Sequence, residues 1–162
     1  MHEREPIPAS IRLLRRLQPV VVSLLGSPLH GLLSRDVLLL GYRGRKSGKD
    51  FTLPLSYAGG DDRLYLCTRP GVAAWWHNLR GGAAVKLRLR GRELDATASV
   101  LDPASPEALE GLRRFVTRNP RTGEMLYAVG RDTAGKPREE DLEREVGRSV
   151  VVRLDVGRSV RG

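Results

Sequence analysis

Two short segments of the sequence, residues 44–49 and 75–79, carry side chains that could hold a phosphorylated aromatic cofactor. The first reads Gly-Arg-Lys-Ser-Gly-Lys and places three cations, a hydroxyl and several backbone N–H groups between two strand-like runs. The second reads Trp-Trp-His-Asn-Leu and places two indoles, an imidazole and an amide on one short element. Cations suit an anionic tail and aromatic rings suit a flat ring system, so the pair predicts a site for such a cofactor.

The cationic segment does not have the spacing of a nucleoside triphosphate loop. A Walker A loop needs a glycine, four residues and then Gly-Lys-Ser/Thr, which residues 41–47 do not provide. The pattern that follows is a strand, so no helix N-terminus would face a phosphate. We interpret the segment as a hairpin turn whose backbone donors and cations bind a phosphate or a carboxylate. A solvated turn with no ligand is the alternative.

The rest of the pattern predicts the elements that must position these segments. Apolar runs and alternation predict strands at 37–40, 52–57, 64–68, 85–90, 93–100 and 149–156. Helices are predicted over 106–117 and 139–146. Consecutive strands joined by tight turns favour an α+β protein built on an antiparallel barrel of about six strands, with N-terminal helices and flanking C-terminal helices.

The hairpin within residues 85–100 has a predicted register. Gly91-Arg92 is the expected two-residue turn, because glycine in the first position suits a type II′ turn. Arg90 would then face Glu93, and Arg88 would face Asp95. These arginines are therefore better explained as cross-strand partners than as a nucleic-acid patch.

Composition limits the class of protein. The chain has 162 residues, which favours one domain, and a net charge of +9, which suggests a phosphorylated cofactor, a nucleic acid or an acidic membrane as partner. An aromatic content of 5% argues against a nucleic-acid module. The single cysteine, Cys67, cannot form an intrachain disulfide, so we expect a cytoplasmic protein. The histidines lack metal-ligand spacing, so we expect no metal.

Residues 11–18 are predicted to form an amphipathic helix, with Arg12, Arg15 and Arg16 on one face. Such a helix could make peripheral contact with the inner face of an anionic membrane, and packing on its own domain is the alternative. The apolar run at 20–25 is shorter than the roughly 20 residues that a bilayer span needs. We therefore divide the chain into an N-terminal helical segment, residues 1–35, and a barrel domain, residues 36–162.

The ordered motifs between about residues 38 and 100 resemble those of the deazaflavin-dependent nitroreductase and quinone reductase family of actinobacteria. They are segment 44–49, Leu-Pro-Leu-Ser-Tyr at 53–57, Thr-Arg-Pro-Gly at 68–71 and segment 75–79. The resemblance implies a split β-barrel that binds coenzyme F420, 8-hydroxy-5-deazaflavin. Its reduced form would pass a hydride to a quinone-like or nitroaromatic-like acceptor. A barrel that binds FMN or haem, and a carrier without catalysis, are the alternatives.

The resemblance also implies a set of cofactor-binding residues and a homodimer. The expected cofactor-binding residues are Arg45, Lys46, Ser47, Lys49, Pro54, Leu55, Thr68, Arg69, Gly71, Trp75, Trp76 and Asn78. Thr68, His77 and Tyr127 are candidate proton donors, with solvent as an equal alternative. Phe51 stands where the family usually has an arginine, so a cation expected to hold the acidic tail is missing here.

Overall fold

Seven antiparallel strands form one sheet in the computed structural model, which describes residues 36–157. The strands are β1 (Val37–Arg43), β2 (Asp50–Ser56), β3 (Ala58–Gly59), β4 (Arg63–Thr68), β5 (Ala83–Leu89), β6 (Arg92–Val100) and β7 (Val150–Val156). Their order across the sheet is β2-β1-β5-β6-β7-β4-β3. A 3₁₀ helix, Trp75–Leu79, lies between β4 and β5, and three helices lie between β6 and β7. They are α1 (Pro106–Arg118), α2 (Pro120–Tyr127) and α3 (Glu139–Val146).

The sheet curls into an incomplete barrel. β2 is at one edge of the strand order and nevertheless contacts β4, which is sixth in that order. Curling buries one face, where side chains from most strands meet the 3₁₀ helix. We call this cluster the barrel core: Leu38, Leu40, Tyr57, Leu64, Leu66, Trp75, Trp76, Leu79, Val85, Leu87, Leu89, Ala96, Ala98, Val150, Val152 and Leu154.

The helices cover the opposite face of β4 and β7. Tyr65 and Val151 alternate with barrel-core residues along their strands and pack under the helices. The resulting helix-side core contains Ala58, Tyr65, Ala108, Leu112, Phe115, Val116, Tyr127, Val129, Leu142 and Val151. A Cβ atom on Gly111 of α1 would lie 2.7 Å from the Tyr65 ring and 2.8 Å from Val151. The close approach of α1 to the sheet therefore depends on this glycine.

The expected α+β antiparallel architecture is confirmed, with seven strands rather than about six. The additional strand, β3, has two residues, which is too short for alternation to reveal. Helix α2 was also not predicted, because the helix predicted over 106–117 ends before Pro120 and a proline disfavours helix continuation. Pro120 instead occupies the first turn of α2, where a missing N–H costs nothing.

The turn of the β5–β6 hairpin is Arg90-Gly91, so the predicted turn at Gly91-Arg92 was wrong. Arg90 has φ 50° and Gly91 has φ 74°, which places both central residues in the left-handed region of a type I′ turn. Leu89 consequently pairs with Arg92 in the ladder. Glycine is compatible with the first position of a type II′ turn or the second of a type I′ turn, so its presence alone did not determine the register.

The corrected register exchanges the ion-pair partners across the hairpin. Arg88 pairs with Glu93 at 3.3 Å instead of with Asp95, and Asp95 pairs with Lys86 at 3.1 Å. Arg90 lies in the turn instead of opposite Glu93. A shift by two residues keeps every side chain on its predicted face of the sheet. The charged residues of the hairpin therefore form cross-strand ion pairs, as predicted, but the residues that pair are different.

The helix expected at residues 11–18, its membrane contact and the domain boundary at residue 35 concern residues outside those described. No helix within residues 36–157 is long and apolar enough to span a bilayer.

Candidate functional site

The antiparallel order brings several loops together at one end of the barrel. β1 ends at Arg43, β2 begins at Asp50, β4 ends at Thr68 and β5 begins at Ala83. Neighbouring strands run in opposite directions, so these four residues lie at the same end. The β1–β2 turn and the connection from β4 to β5 therefore meet there. These are the two segments that the sequence singled out.

A side-chain amide links the two segments directly. The backbone N–H of Arg45 donates to Oδ1 of Asn78 at 3.0 Å, across 33 residues of sequence. The Nδ2 group of the same amide donates to the carbonyl of Trp75 at 3.1 Å. Asn78 is therefore held by its own helix while it holds the turn.

The β1–β2 turn is closed by its own backbone. The N–H of Gly44 donates to the carbonyl of Lys49 at 2.8 Å, and the N–H of Gly48 donates to the carbonyl of Gly44 at 2.9 Å. Gly48 has φ 65°, which favours glycine. The Ser47 hydroxyl accepts from the N–H of Lys49 at 3.2 Å. The backbone is thus organised before any ligand binds, while the side chains of residues 45–49 are exposed.

The cations of this turn are free of carboxylates within the described residues. Arg45, Lys46 and Lys49 take part in no ion pair among residues 36–157. Lys86 and Arg88 on the β5–β6 hairpin, by contrast, are each paired. The charge of the turn therefore remains available to an anionic ligand.

Arg69, one residue beyond β4, has an incomplete set of partners. Its Nη2 group donates to Oε2 of Glu145 at 2.6 Å, and its guanidinium carbon lies 5.8 Å from the ring centroid of Tyr127. Its Nε atom is buried and has no hydrogen-bond partner within the described residues. A buried N–H without an acceptor is costly, so an oxygen atom from a ligand would stabilise this arrangement. Thr68 is buried beside it, paired with Val150 in the ladder.

The adjacent indoles are buried and fix the 3₁₀ helix to the barrel. Trp75 is 7% exposed and Trp76 is 6% exposed, and both belong to the barrel core. The Trp76 ring lies 3.9 Å from the His77 ring and 4.5 Å from the Arg80 guanidinium. Its Nε1 group donates to the carbonyl of Ala73 at 3.0 Å. These contacts hold the helix that carries Asn78.

Pro54 and Leu55 lie further along the edge strand β2. Pro54 pairs with Leu39, and Leu55 packs against the barrel core while half-buried. At a rise of about 3.4 Å per residue, Pro54 is about 14 Å from Asp50 at the turn. Only an elongated ligand could touch both the turn and Pro54. Gly71, by contrast, is exposed in the β4–β5 connection, with open space around its Cα.

The three candidate proton donors lie in different surroundings. His77 is exposed on the 3₁₀ helix, and Thr68 is 8% exposed at the end of β4. Tyr127 is 1% exposed in the helix-side core, and its ring packs edge-on against Phe115. Burial, reinforced by the nearby Cys67, raises the pKa of Tyr127, so this phenol keeps its proton at neutral pH. Burial also raises the pKa of the Cys67 thiol, which makes Cys67 a poor nucleophile.

Two features of this end of the barrel were missed from the sequence. Glu145 is buried, although the sequence predicted only that it lies in a helix over 139–146. It lies three residues after Leu142 and next to Val146, so a carboxylate interrupts the apolar stripe of α3. That interruption was the available signal. Gly81 and Gly82, with φ 79° and 92°, form the sharp exit from the 3₁₀ helix. Residues 36–157 contain no group of three acidic, His or Cys side chains suited to a metal ion.

A family model described as F420H(2)-dependent quinone reductase matches residues 14–132, which is more than half of the chain. No curated protein matches the chain.

Two solved structures share the fold. One is an F420-H2 dependent reductase, FDR-A, with 20% identity and a TM-score of 0.54, covering 76% of this chain and 95% of that chain. The other is a domain-swapped dimer with 18% identity and a TM-score of 0.56, covering 92% of this chain and 100% of that chain. At these identities the likeness shows a split-barrel-like fold.

Proposed function

We propose, since the chain belongs to the F420H(2)-dependent quinone reductase family, that the loops at one end of its barrel hold the cofactor against a quinone-like acceptor. Membership makes the chain an F420-dependent oxidoreductase. The cofactor-binding residues and the acceptor are inferred from its own side chains. The cations of the β1–β2 turn, which have no ion-pair partner within residues 36–157, carry this inference, because they stand beside a helix to which the turn is clamped.

The donors at this end of the barrel fit a ligand with an anionic tail and a flat ring. Arg45, Lys46 and Lys49 would hold the phosphate and acidic tail, where charge-assisted hydrogen bonds are strongest. The buried Nε of Arg69, which has no hydrogen-bond partner in the described part of the chain, would donate to another oxygen of the same ligand. Pro54, about 14 Å along β2, would then lie near the ring of an extended cofactor.

When bound, reduced F420 supplies the hydride. The protein's part is to fix the geometry, because the donor and acceptor carbons must approach within about 3–3.5 Å. The Asn78 clamp and the buried indoles immobilise the 3₁₀ helix, and the barrel core beneath it excludes water. A quinone that accepts a hydride also needs a proton. The exposed His77 is better placed to exchange protons with solvent than Tyr127, which burial keeps protonated.

We infer a flat, apolar acceptor of the quinone class. Phe51 is 42% exposed at the start of β2 and stacks on Tyr42 at 5.5 Å, and Val72 is 37% exposed in the β4–β5 connection. Both side chains are at the same end as the cationic turn. They offer apolar area beside a cofactor site, as a flat acceptor requires. A nitroaromatic compound has the same shape and is the second acceptor to test.

The experiment is a titration of the purified protein with reduced F420, followed by turnover with a small panel of quinones and nitroaromatics. We expect F420 to bind more tightly than FMN, and its affinity to fall as salt rises. Turnover is measured as the loss of reduced F420 absorbance. Tight binding without turnover of any acceptor would favour a carrier. Equal or tighter binding of FMN would contradict the proposed use of the turn cations.

We also propose that the protein forms a homodimer, because a solved structure with this fold is a domain-swapped dimer. Light scattering during size-exclusion chromatography measures the mass directly, against 17.9 kDa for one chain. A mass near one chain across the accessible concentration range would contradict this proposal.

A further inference from the structure

A buried carboxylate lies behind the candidate site. Glu145 of α3 is 2% exposed, and its carboxylate is surrounded by arginines. Oε2 accepts from Arg69 Nη2 at 2.6 Å, while Oε1 lies 3.3 Å from Arg144 Nε and 3.9 Å from Arg148 Nη1. An ionised carboxylate is removed from water at a high cost unless it is paired, so these contacts account for its presence in the helix.

Arg69 is the partner that reaches from Glu145 towards the candidate site. Arg144 is also tied to Asp141 at 2.8 Å, and Arg148 is 67% exposed. Arg69 instead follows Thr68, whose backbone is paired with Val150 of β7. One end of the Arg69 side chain is therefore fixed by the sheet and the other end by Glu145.

The guanidinium group is planar, and its five N–H donors form a rigid fork. Fixing Nη2 on Glu145 restricts the direction in which Nε–H can point. That Nε atom is buried and without a partner within residues 36–157. The arrangement is a donor held in place for an acceptor that these residues do not supply.

We propose that Glu145 is a positioning residue, which holds the Arg69 guanidinium so that its Nε–H is left for an oxygen of the bound cofactor. This inference rests on the proposed function, which places Arg69 at the cofactor. Glu145 lies outside residues 14–132, the part of the chain that the family model matches. On this proposal α3, the helix that carries Glu145, supports the cofactor site from outside the matched region.

The test is a double-mutant cycle on the full chain, with the dissociation constant for F420 and the KM and kcat for turnover as readouts. Arg69→Gln should weaken F420 binding roughly tenfold, as expected for the loss of a charge-assisted hydrogen bond. Glu145→Gln should raise KM for F420 by a similar factor, with kcat changed less than about twofold, because ground-state binding is affected. In the Arg69→Gln background, Glu145→Gln should have no further effect on F420 affinity.

Arg148→Gln is the matched control. It removes the same charge as Arg69→Gln and sits beside the same carboxylate, but on the exposed side. Its affinity for F420 should stay within about twofold of the native value, since an exposed pair contributes little. A loss equal to that of Arg69→Gln would overturn the proposal, because the effect would then follow net charge.

The outcomes separate this inference from the proposed function. If Arg69→Gln binds F420 normally, the placement of Arg69 at the cofactor is wrong. If Arg69→Gln weakens binding but Glu145→Gln does not, or if the two effects add, the positioning role alone is wrong. If Glu145→Gln fails to fold, Arg69→Lys replaces it in the test. Lysine keeps a positive charge that can pair with Glu145, but it lacks the guanidinium group and its Nε–H donor. The affinity for F420 should therefore fall while the melting temperature is retained.

Discussion

The amide of Asn78 and the backbone of Arg45 are joined by a 3.0 Å hydrogen bond that connects the 3₁₀ helix to the cationic turn. Since the turn forms its own internal hydrogen bonds, this contact sets where the turn lies and not whether it forms. The position of three cations thus depends on one side chain from another element.

The Asn78 clamp can be tested by truncation. Asn78→Ala should weaken F420 binding by about 1–2 kcal/mol, the net effect of a lost hydrogen bond on a preorganised site. Isothermal titration calorimetry measures this change. Asn78→Asp keeps an acceptor for the Arg45 N–H and should bind better than the alanine variant. Equal affinity in the native and alanine proteins would show that the clamp has no part in binding.

Lys46 and Lys86 provide a matched pair for the role of the turn. Lys46 is exposed and unpaired within the described residues, whereas Lys86 is exposed and paired with Asp95. Lys46→Ala should reduce F420 affinity by about 1–3 kcal/mol, with little change in the melting temperature of the free protein. Lys86→Ala should leave the affinity unchanged. If both variants lose affinity equally, the overall positive charge and not the turn is responsible.

Gly111 and Gly147 should respond in opposite ways to the same substitution. A Cβ atom at Gly111 would overlap the Tyr65 ring and Val151, whereas Gly147 has φ −66° and open space. Gly111→Ala should lower the free energy of unfolding by about 1–3 kcal/mol through overpacking. Gly147→Ala should raise it by about 0.4–1 kcal/mol, because the unfolded chain loses entropy. Chemical denaturation measures both, and a neutral Gly111→Ala would contradict the described packing of α1.

Stability should fall at alkaline pH because of Cys67 and Tyr127. Burial raises the pKa of both groups in the folded state, so they keep their protons after the unfolded chain has lost its own. The unfolded state then binds fewer protons, and the free energy of unfolding decreases as pH rises above about 8.5 for the thiol and about 10 for the phenol.

Urea unfolding between pH 7 and pH 10.5 measures this decrease. Tyr127→Phe removes one of the two groups, so its stability should depend less on pH above pH 9.5 than that of the native protein. The same slope in both proteins would show that the buried phenol does not contribute. Alkylation of Cys67 at pH 8 should likewise be slower in the folded protein than in urea.

Residue types were sufficient to find the two segments of the candidate site, because cations in a turn and clustered aromatic residues can be read directly from the amino-acid sequence. The strand order that brings the two segments to one end of the barrel was not predicted and comes from the structure. The contact between Arg69 and Glu145 spans 76 residues. No local pattern encodes such a distance. The packing of α3 on α1 places Glu145 beside Arg69, which follows the end of β4.

The register of the β5–β6 hairpin shows a different limit of prediction from the sequence. Alternation assigned the faces of β5 and β6 correctly, but the turn depended on whether Arg90 adopts φ 50°. A non-glycine residue in the left-handed region is uncommon, so propensity favoured the other turn. Type I′ and type II′ turns both match the twist of the flanking strands, so turn chemistry alone did not determine the register.

The edges of the sheet have a consequence for assembly. At one edge, β3 has two residues, and at the other, β2 contains Pro54, which cannot donate a hydrogen bond to a further strand. Neither edge is a good template for an added strand from another molecule, which protects the described part of the chain against edge-to-edge aggregation. Addition of a strand at either edge of the sheet formed by residues 36–157 is therefore disfavoured as a mode of contact in the homodimer proposed above.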